Sequence, residues 1–313
     1  MVRPEEYKRS RKRAAWLATQ LGLDRKIEIC DIGARQTQGG FPYQVLVDLD
    51  LVHLTGFEPD PEAFAILDQQ KGQNQRYICA AVGKPGPATF YLHDMGVLSS
   101  VYKIRAKAAA FLDKMFWVKH EIREIPMDLV GLDSIDSLPK IDVLKMDIQG
   151  AERDVLQNGK EALSQAVVVI PEVCFYQMYE GQPMFADVDA EMRAQGFVLH
   201  KFLHQKSVML GSSQKKRMAA RRRGSQLLDG DAVYIRNLED PEALSDDQLK
   251  VMALAADSVF GSYDLAAHCL TILSKRAAIH RSVVRKYIDR VPADWLAPVA
   301  SPVTSETEKQ AQA

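Results

Sequence analysis

The sequence predicts a doubly wound α/β fold, a parallel sheet covered by helices on both faces. Three observations carry this. Short apolar runs alternate with helical stretches along most of the chain, the pattern of strand–helix–strand crossovers. The first two runs end in acid and glycine residues, where an open α/β sheet places its ligand. The 313 residues suffice for a full core and an appended segment.

Taken in order, residues 1–25 form a basic, helical lead-in with an apolar stripe at Trp16, Leu17 and Leu21. Strands are expected at 27–32, 51–57, 76–82, 141–146, 167–173, 197–202 and 232–235, and helices at 61–70, 152–163 and 185–194. An insertion at 83–139 adds a strand at 89–92, a helical stretch at 103–119 and a strand at 121–129. The last two strands flank a basic loop, 214–224, that holds Lys215, Lys216, Arg217, Arg221, Arg222 and Arg223. Past residue 241 the chain turns helical. Ser245 and Gln248 are spaced as a capping box. Leu249, Met252, Ala256, Val259 and Phe260 follow at helical spacing, Gly261-Ser262 interrupts, and helices at 263–275 and 279–290 are expected. The chain thus divides into the lead-in 1–25, a core domain 26–238, a helical appendage 239–297 and a disordered tail 298–313. The apolar stripe of the appendage, with Val259, Phe260 and Leu273, either packs on the sheet domain or joins two copies as a homodimer.

Composition narrows the function. A formal net charge of −1 gives no overall drive toward nucleic acid or membrane. No run reaches the roughly 18 apolar residues of a membrane-spanning helix, and the N-terminus is charged rather than apolar. A cytoplasmic chain is expected. Of the four cysteines, Cys30, Cys79 and Cys174 lie in strand-like apolar runs and none, Cys269 included, forms a C-x-x-C pair, so all read as core thiols.

The expected first strand ends Cys30-Asp31-Ile32-Gly33-Ala34, and the second ends Gly56-Phe57-Glu58-Pro59-Asp60. A glycine past the first strand lets backbone approach a ligand, and Asp31 suits one with a cationic end. Glu58 offers two acceptor oxygens, enough for both ribose hydroxyls of an adenosine; as the blander alternative, it is a helix-capping acid. The three-glycine fingerprint of a dinucleotide site is missing, since Gly33 is followed by Ala34-Arg35-Gln36-Thr37-Gln38. An adenosine cofactor without phosphates fits, and S-adenosylmethionine is the commonest.

Several segments together resemble the FkbM family of methyltransferases. The most characteristic is Leu144-Lys-Met-Asp147-Ile-Gln-Gly150-Ala-Glu152. Around it stand Asp31-Ile-Gly-Ala34, Gly56-Phe-Glu58-Pro-Asp60, Ala80-Ala-Val-Gly83, Leu132-Asp-Ser134, Pro171-Glu172-Val173, Tyr179-Glu-Gly181 and Gly196-Phe197. The resemblance implies a class I, Rossmann-like methyltransferase sheet, mostly parallel with one antiparallel strand near its edge. It also implies S-adenosylmethionine as cofactor and methylation of a hydroxyl on a sugar or polyketide. Arg35 and Thr37 depart from the family's Asn and Gly in the first loop, which bears on binding of the cofactor's methionine half.

On this reading Asp31, Gly33, Ala34, Glu58, Pro59, Asp60, Ala80, Ala81 and Asp147 surround the cofactor, with the two alanines beside the adenine. A hydroxyl acceptor needs a base within hydrogen-bond reach. Asp147, at the end of the fourth strand, is the first candidate, as base or as ligand of the cofactor's amino group. Glu172 ends the fifth strand as a second acid, and two carboxylates in one pocket divide into base and orienting group; alternatively Glu172 pairs with Lys145. Tyr176 and Tyr179 follow as walls of the acceptor pocket, and His93 could reach over from the insertion. No second carboxylate adjoins Asp147 at metal-ligand spacing, so no metal is expected. The acceptor is expected to be a small molecule or glycan, with an anionic group met by the basic loop. Two rivals stay open: a nucleic-acid methyltransferase using residues 215–223, which lacks the Pro-Pro-aromatic run of base-methylating enzymes, and a binding module without catalysis.

Overall fold

The computed structural model describes residues 4–35, 40–218 and 224–297. Its first half contains α1 (Pro4–Leu21), β1 (Ile27–Ile32), α2 (Gln44–Asp48), β2 (Val52–Phe57), α3 (Pro61–Gln70), β3 (Gln75–Ile78), β4 (Ala81–Val82) and β5 (Gly86–His93). Then come α4 (Ala106–Phe111), β6 (Ile122–Val130), β7 (Val143–Met146), α5 (Glu152–Gln157), β8 (Val168–Cys174), α6 (Phe185–Ala194), β9 (Phe197–Val208) and β10 (Gln226–Arg236). Helices α7 (Asp246–Ser258), α8 (Tyr263–Lys275) and α9 (Ser282–Ile288) follow.

Seven strands form the central sheet in the order β3-β2-β1-β7-β8-β10-β9, and only β10 runs against its neighbours. This is the class I sheet, with its antiparallel strand one place in from the edge. Strand order reverses between β1 and β7, so their carboxyl ends flank the crevice where such sheets bind ligands.

Alternation along each strand builds two cores. Ile27 and Ile29 of β1 enter one and Cys30 and Ile32 the other; Val52 and Leu54 of β2 oppose Phe57, and Val233 and Ile235 of β10 oppose Ala232 and Tyr234. Burial on both faces is why these strands read as continuous apolar runs. The first face is covered by α1 (Leu17, Leu21) and by α7 to α9, whose Leu254, Leu273 and Tyr287 are wholly buried. The second face is covered by α5 and α6 through Val155, Leu156, Val188 and Met192. Each such fully buried aliphatic side chain contributes roughly 1.5–3 kcal/mol. The C-terminal helices thus pack on the sheet domain, one of the two outcomes expected for them. A third cluster, with Leu98, Ile104, Leu112, Trp117, Tyr179 and Leu228, ties the insertion to β8 and β10.

Several elements differ from expectation. Residues 76–82 form two strands in different sheets: β3 ends at Ile78, and β4 joins β6 and β5 in a three-stranded sheet. The break leaves Cys79 exposed, not in the core. The expected helix at 152–163 stops at Gln157; two residues on, at Gly159, a Cβ would lie 2.9 Å from both Leu132 and the Val155 carbonyl oxygen. The short α2 carried no periodic signal, and the helical stretch at 103–119 is α4 followed by a 3-10 turn at Met115–Val118. Strands β9 and β10 run far beyond 197–202 and 232–235, as a long hairpin with register shifts that bend it. Thr37, Arg221 to Arg223 and the tail 298–313 lie outside the described residues.

Candidate active site

The carboxyl ends of β1, β2, β7 and β8 open into a cavity of about 250 Å³. Gly33, Glu58, Pro59, Ala80 and Ala81 line one part, Asp147, Gln149 and Glu172 another, and Gly96 to Ser99 of the insertion close over it. Arg35, the first-loop departure expected to bear on cofactor binding, also reaches the lining, as does Lys206, which the sequence did not single out.

Gly33 is where the loops come closest. It has φ +81°, its N–H donates to the Phe57 carbonyl at 3.0 Å, and a Cβ there would lie 2.1 Å from the Asp147 carbonyl oxygen. Only glycine fits. Ala34 is buried just behind it, outside the lining. The buried Glu58 accepts the Asp60 N–H through Oε1 at 2.9 Å. The helix cap is Asp60, which accepts from the Glu62 N–H at 3.1 Å and lies outside the cavity. That leaves Glu58 facing the cavity, its carboxyl pushed upward by burial. Arg35 bridges over, 3.4 Å from Asp60 Oδ2 and against Gly96.

Asp31 stands behind this loop on the opposite face of β1. Its Oδ2 accepts the Tyr43 hydroxyl, while its buried Oδ1 has no partner among the described residues. Burial raises its pKa and the neighbouring Lys145 opposes this. The lining residues suit S-adenosylmethionine: an acid for ribose hydroxyls, small side chains at Ala80 and Ala81, and a glycine that lets backbone approach closely; Asp31, expected beside the cofactor, is not among them.

The acidic half is organised by Gln149. Its backbone takes the left-handed conformation (φ +58°), and its carbonyl accepts the Ser100 hydroxyl at 2.8 Å. Nε2 donates to Asp147 Oδ1 at 3.0 Å and to Glu172 Oε2 at 2.6 Å, spending both its hydrogens on two carboxylates. The Tyr179 hydroxyl donates toward Gln149 Oε1 at 3.1 Å and the Leu98 carbonyl at 3.3 Å, which fixes the amide's orientation. Burial first, and then the charge of Asp147, hold the Glu172 carboxyl well above its ordinary range. Lys145 pairs at 3.3 Å with Asp147, rather than with Glu172. Burial pulls its ammonium down, but Asp147, Asp31, Asp231 and Glu172 together push it above its usual value. Lys206, from the long β9, lies 3.1 Å from the buried Asp229.

Thus Gly33, Glu58, Pro59, Ala80, Ala81, Asp147 and Glu172 meet in one cavity. Tyr179 does not line it but acts one layer behind, through Gln149. Tyr176 instead stacks on Phe111 at 5.4 Å. His93 is turned away: its Nε2 lies 2.8 Å from the Trp117 carbonyl and its Nδ1 accepts the Met95 N–H, beside a separate cavity of about 70 Å³. Both ring nitrogens are used, so His93 offers the main cavity neither a base nor a ligand.

The methyltransferase FkbM domain matches residues 31–199, and methyltransferases with this domain use S-adenosylmethionine. The 2-O-methyltransferase NoeI of Sinorhizobium fredii (strain NBRC 101917 / NGR234) is 29% identical over 143 residues, covering 42% of this chain but only 58% of that protein. Among solved structures, magnesium protoporphyrin IX methyltransferase (ChlM) from Synechocystis PCC 6803 overlaps 74% of this chain and 79% of its own at 11% identity, with a TM-score of 0.35. Precorrin-6y C5,15-methyltransferase from Geobacter metallireducens GS-15 overlaps 76% and 90% at 10% identity, with a TM-score of 0.36. The domain match begins at Asp31, takes in every segment around the cavity except Lys206, and ends in β9; on that match the chain belongs to the FkbM methyltransferase family.

Proposed function

We propose that this chain is an S-adenosylmethionine-dependent methyltransferase that methylates a hydroxyl of a sugar, glycan or polyketide-like small molecule bearing an anionic group. The observation that supports it most is the single cavity shared by Gly33, Glu58, Ala80 and Ala81 on one side and the Gln149-bridged pair Asp147 and Glu172 on the other. When bound, S-adenosylmethionine supplies a methyl group on a sulfonium, open to in-line displacement. Glu58 holds the ribose, while the backbone at Gly33 faces the methionine half.

A hydroxyl is a poor nucleophile until its proton has an acceptor. Asp147 takes that position, and Gln149 sets its orientation. Glu172, with a raised pKa, is the second carboxyl of a pair whose environments differ. Much of the rate in such a displacement comes from alignment, which suits a site whose acids are fixed by amide and phenol hydrogen bonds. Lys206 supplies a cation at the acceptor side.

Titration calorimetry with S-adenosylmethionine tests the cofactor half. Glu58→Ala should weaken binding by about 1–3 kcal/mol, the cost of leaving buried polar groups without a partner; unchanged affinity in the folded variant removes Glu58 from the site. Mass spectrometry of labelled methyl transfer into a glycan and metabolite extract tests the acceptor half. A label recovered on nitrogen or carbon overturns the hydroxyl assignment.

A further inference from the structure

Most of the large apolar side chains exposed among the described residues lie on the insertion and just after β9, segments that pack in one cluster with Leu98 of the cavity lining. Among the described residues ten such side chains are exposed, and six of them are Met95, Val97, Phe111, Met115, Phe116 and Met218. Val97, the most open of these at 58%, also lines the cavity. The others are tied to the same rim by polar contacts. His120, which packs on Phe116, is bonded at 2.7 Å to Asp94, next to Met95. Asp113, between Phe111 and Met115, pairs with Lys215 on the β9–β10 loop that carries Met218. An exposed apolar group of this kind on a polar surface marks a contact site.

Charge is concentrated in the same place. Residues 103–119 and 211–218 hold eight lysines and arginines against a single acid, Asp113, in a chain whose net charge is −1. Lys107, Lys119, Lys216 and Arg217 are exposed among them. Apolar side chains inside a basic collar match an anionic bilayer: the first enter the headgroup region, and each lysine or arginine near such a surface adds about 1 kcal/mol. Nucleic acid would need free ring faces. Here Phe111 is stacked on Tyr176, Lys114 lies over Phe116, and the remaining four side chains are methionines and a valine.

We propose that the surface formed by α4, the Met115–Val118 turn and residues 211–218 is a peripheral docking surface for anionic lipid, bringing the mouth of the cavity to the bilayer. The surface is independent of methyl transfer, so its test needs neither cofactor nor acceptor. The full chain is sedimented with vesicles of phosphatidylcholine, and with vesicles of phosphatidylcholine and phosphatidylglycerol in equal parts. Binding to the anionic vesicles only, falling as salt is raised, is expected. The paired variants Met115→Ser with Phe116→Ser, and Lys216→Glu with Arg217→Glu, should each lower partition by roughly tenfold or more. Should the first pair fail to fold, the second decides alone. No sedimentation with anionic vesicles overturns the proposal, as does binding that neither pair alters. Retention of a single-stranded oligonucleotide that is lost in the charge variant, without vesicle binding, overturns it in favour of nucleic acid.

Discussion

At the scale of single residues, the site depends on one neutral side chain placed between two acids. Gln149 donates to both Asp147 and Glu172 and is itself held by Tyr179. The acids were legible in the sequence because strand ends in an open sheet are where ligands sit. Gln149 was legible only as part of a turn, since its side-chain direction depends on a left-handed backbone and on Tyr179, thirty positions away. His93 misled for the converse reason: sequence places it near Ser99 and Ser100 but does not show that its Nε2 is held by the Trp117 carbonyl, a hydrogen-bond acceptor 2.8 Å away. The role of Asp147 can be separated from its alternative. Asp147→Asn keeps shape and removes proton affinity, so turnover should fall by the ~10²–10⁴-fold typical of general-base assistance, with folding little changed. If Asp147 only binds the cofactor's amino group, the same variant raises the cofactor's dissociation constant and leaves saturated turnover intact. Rate measured against cofactor concentration separates the two, and full activity defeats both.

At the scale of elements, the position of α5 sets an energetic conflict inside the fold. Its first residue, Glu152, is buried, and burial raises its carboxyl from the ordinary 4.5 to about 7, although the Ile148 N–H donates to it at 3.1 Å. The folded chain therefore keeps a proton there to about pH 7 that the unfolded chain releases near 4.5, and this group's contribution to stability falls as pH rises between them. The rise corresponds to on the order of 3 kcal/mol. Glu152→Gln should gain on the parent by that order between acid and neutral pH in urea denaturation; a pH-independent difference would exclude Glu152 as the cause. Elements with strong apolar runs or a clear cap, such as β1, β8, α3 and α7, stand where sequence periodicity puts them. Ser245 and Gln248 do form the capping box of α7. The long hairpin could not be read, because beyond Phe202 strand β9 is polar and mostly exposed, and pairing with β10 rather than apolar alternation extends it.

At the scale of the molecule, chain-distant helices are joined by a buried charge. Arg13 of α1 donates to Asp257 of α7 at 2.5 Å, both nearly inaccessible, and the Tyr287 hydroxyl of α9 donates to the same carboxylate at 2.8 Å. The Arg13 guanidinium also lies 4.6 Å from the centre of the Tyr263 ring in α8. Nothing in the sequence pairs positions 244 apart, so a basic lead-in and a helical C-terminus read as separate segments. Asp257→Ala strands Arg13 in the core, and losing one partner of such a pair costs about 3–5 kcal/mol. Equilibrium unfolding in urea measures this; a loss below about 1 kcal/mol would rank the pair with surface ion pairs.

The core shared by these helices also bears on how the chain reaches its fold. More than half of the buried residues in the first core lie between Leu244 and Val291, after every strand of the sheet. Synthesis runs from the N-terminus, so the ribosome delivers the complete sheet while one of its faces still lacks most of its cover. The nascent chain passes through an interval in which β1, β7 and β8 present Ile29, Val143 and Ile170 to water, and α7 ends that interval. Rapid emergence of residues 246–288, or a chaperone holding that face until they appear, is what the order of these elements demands of the cell.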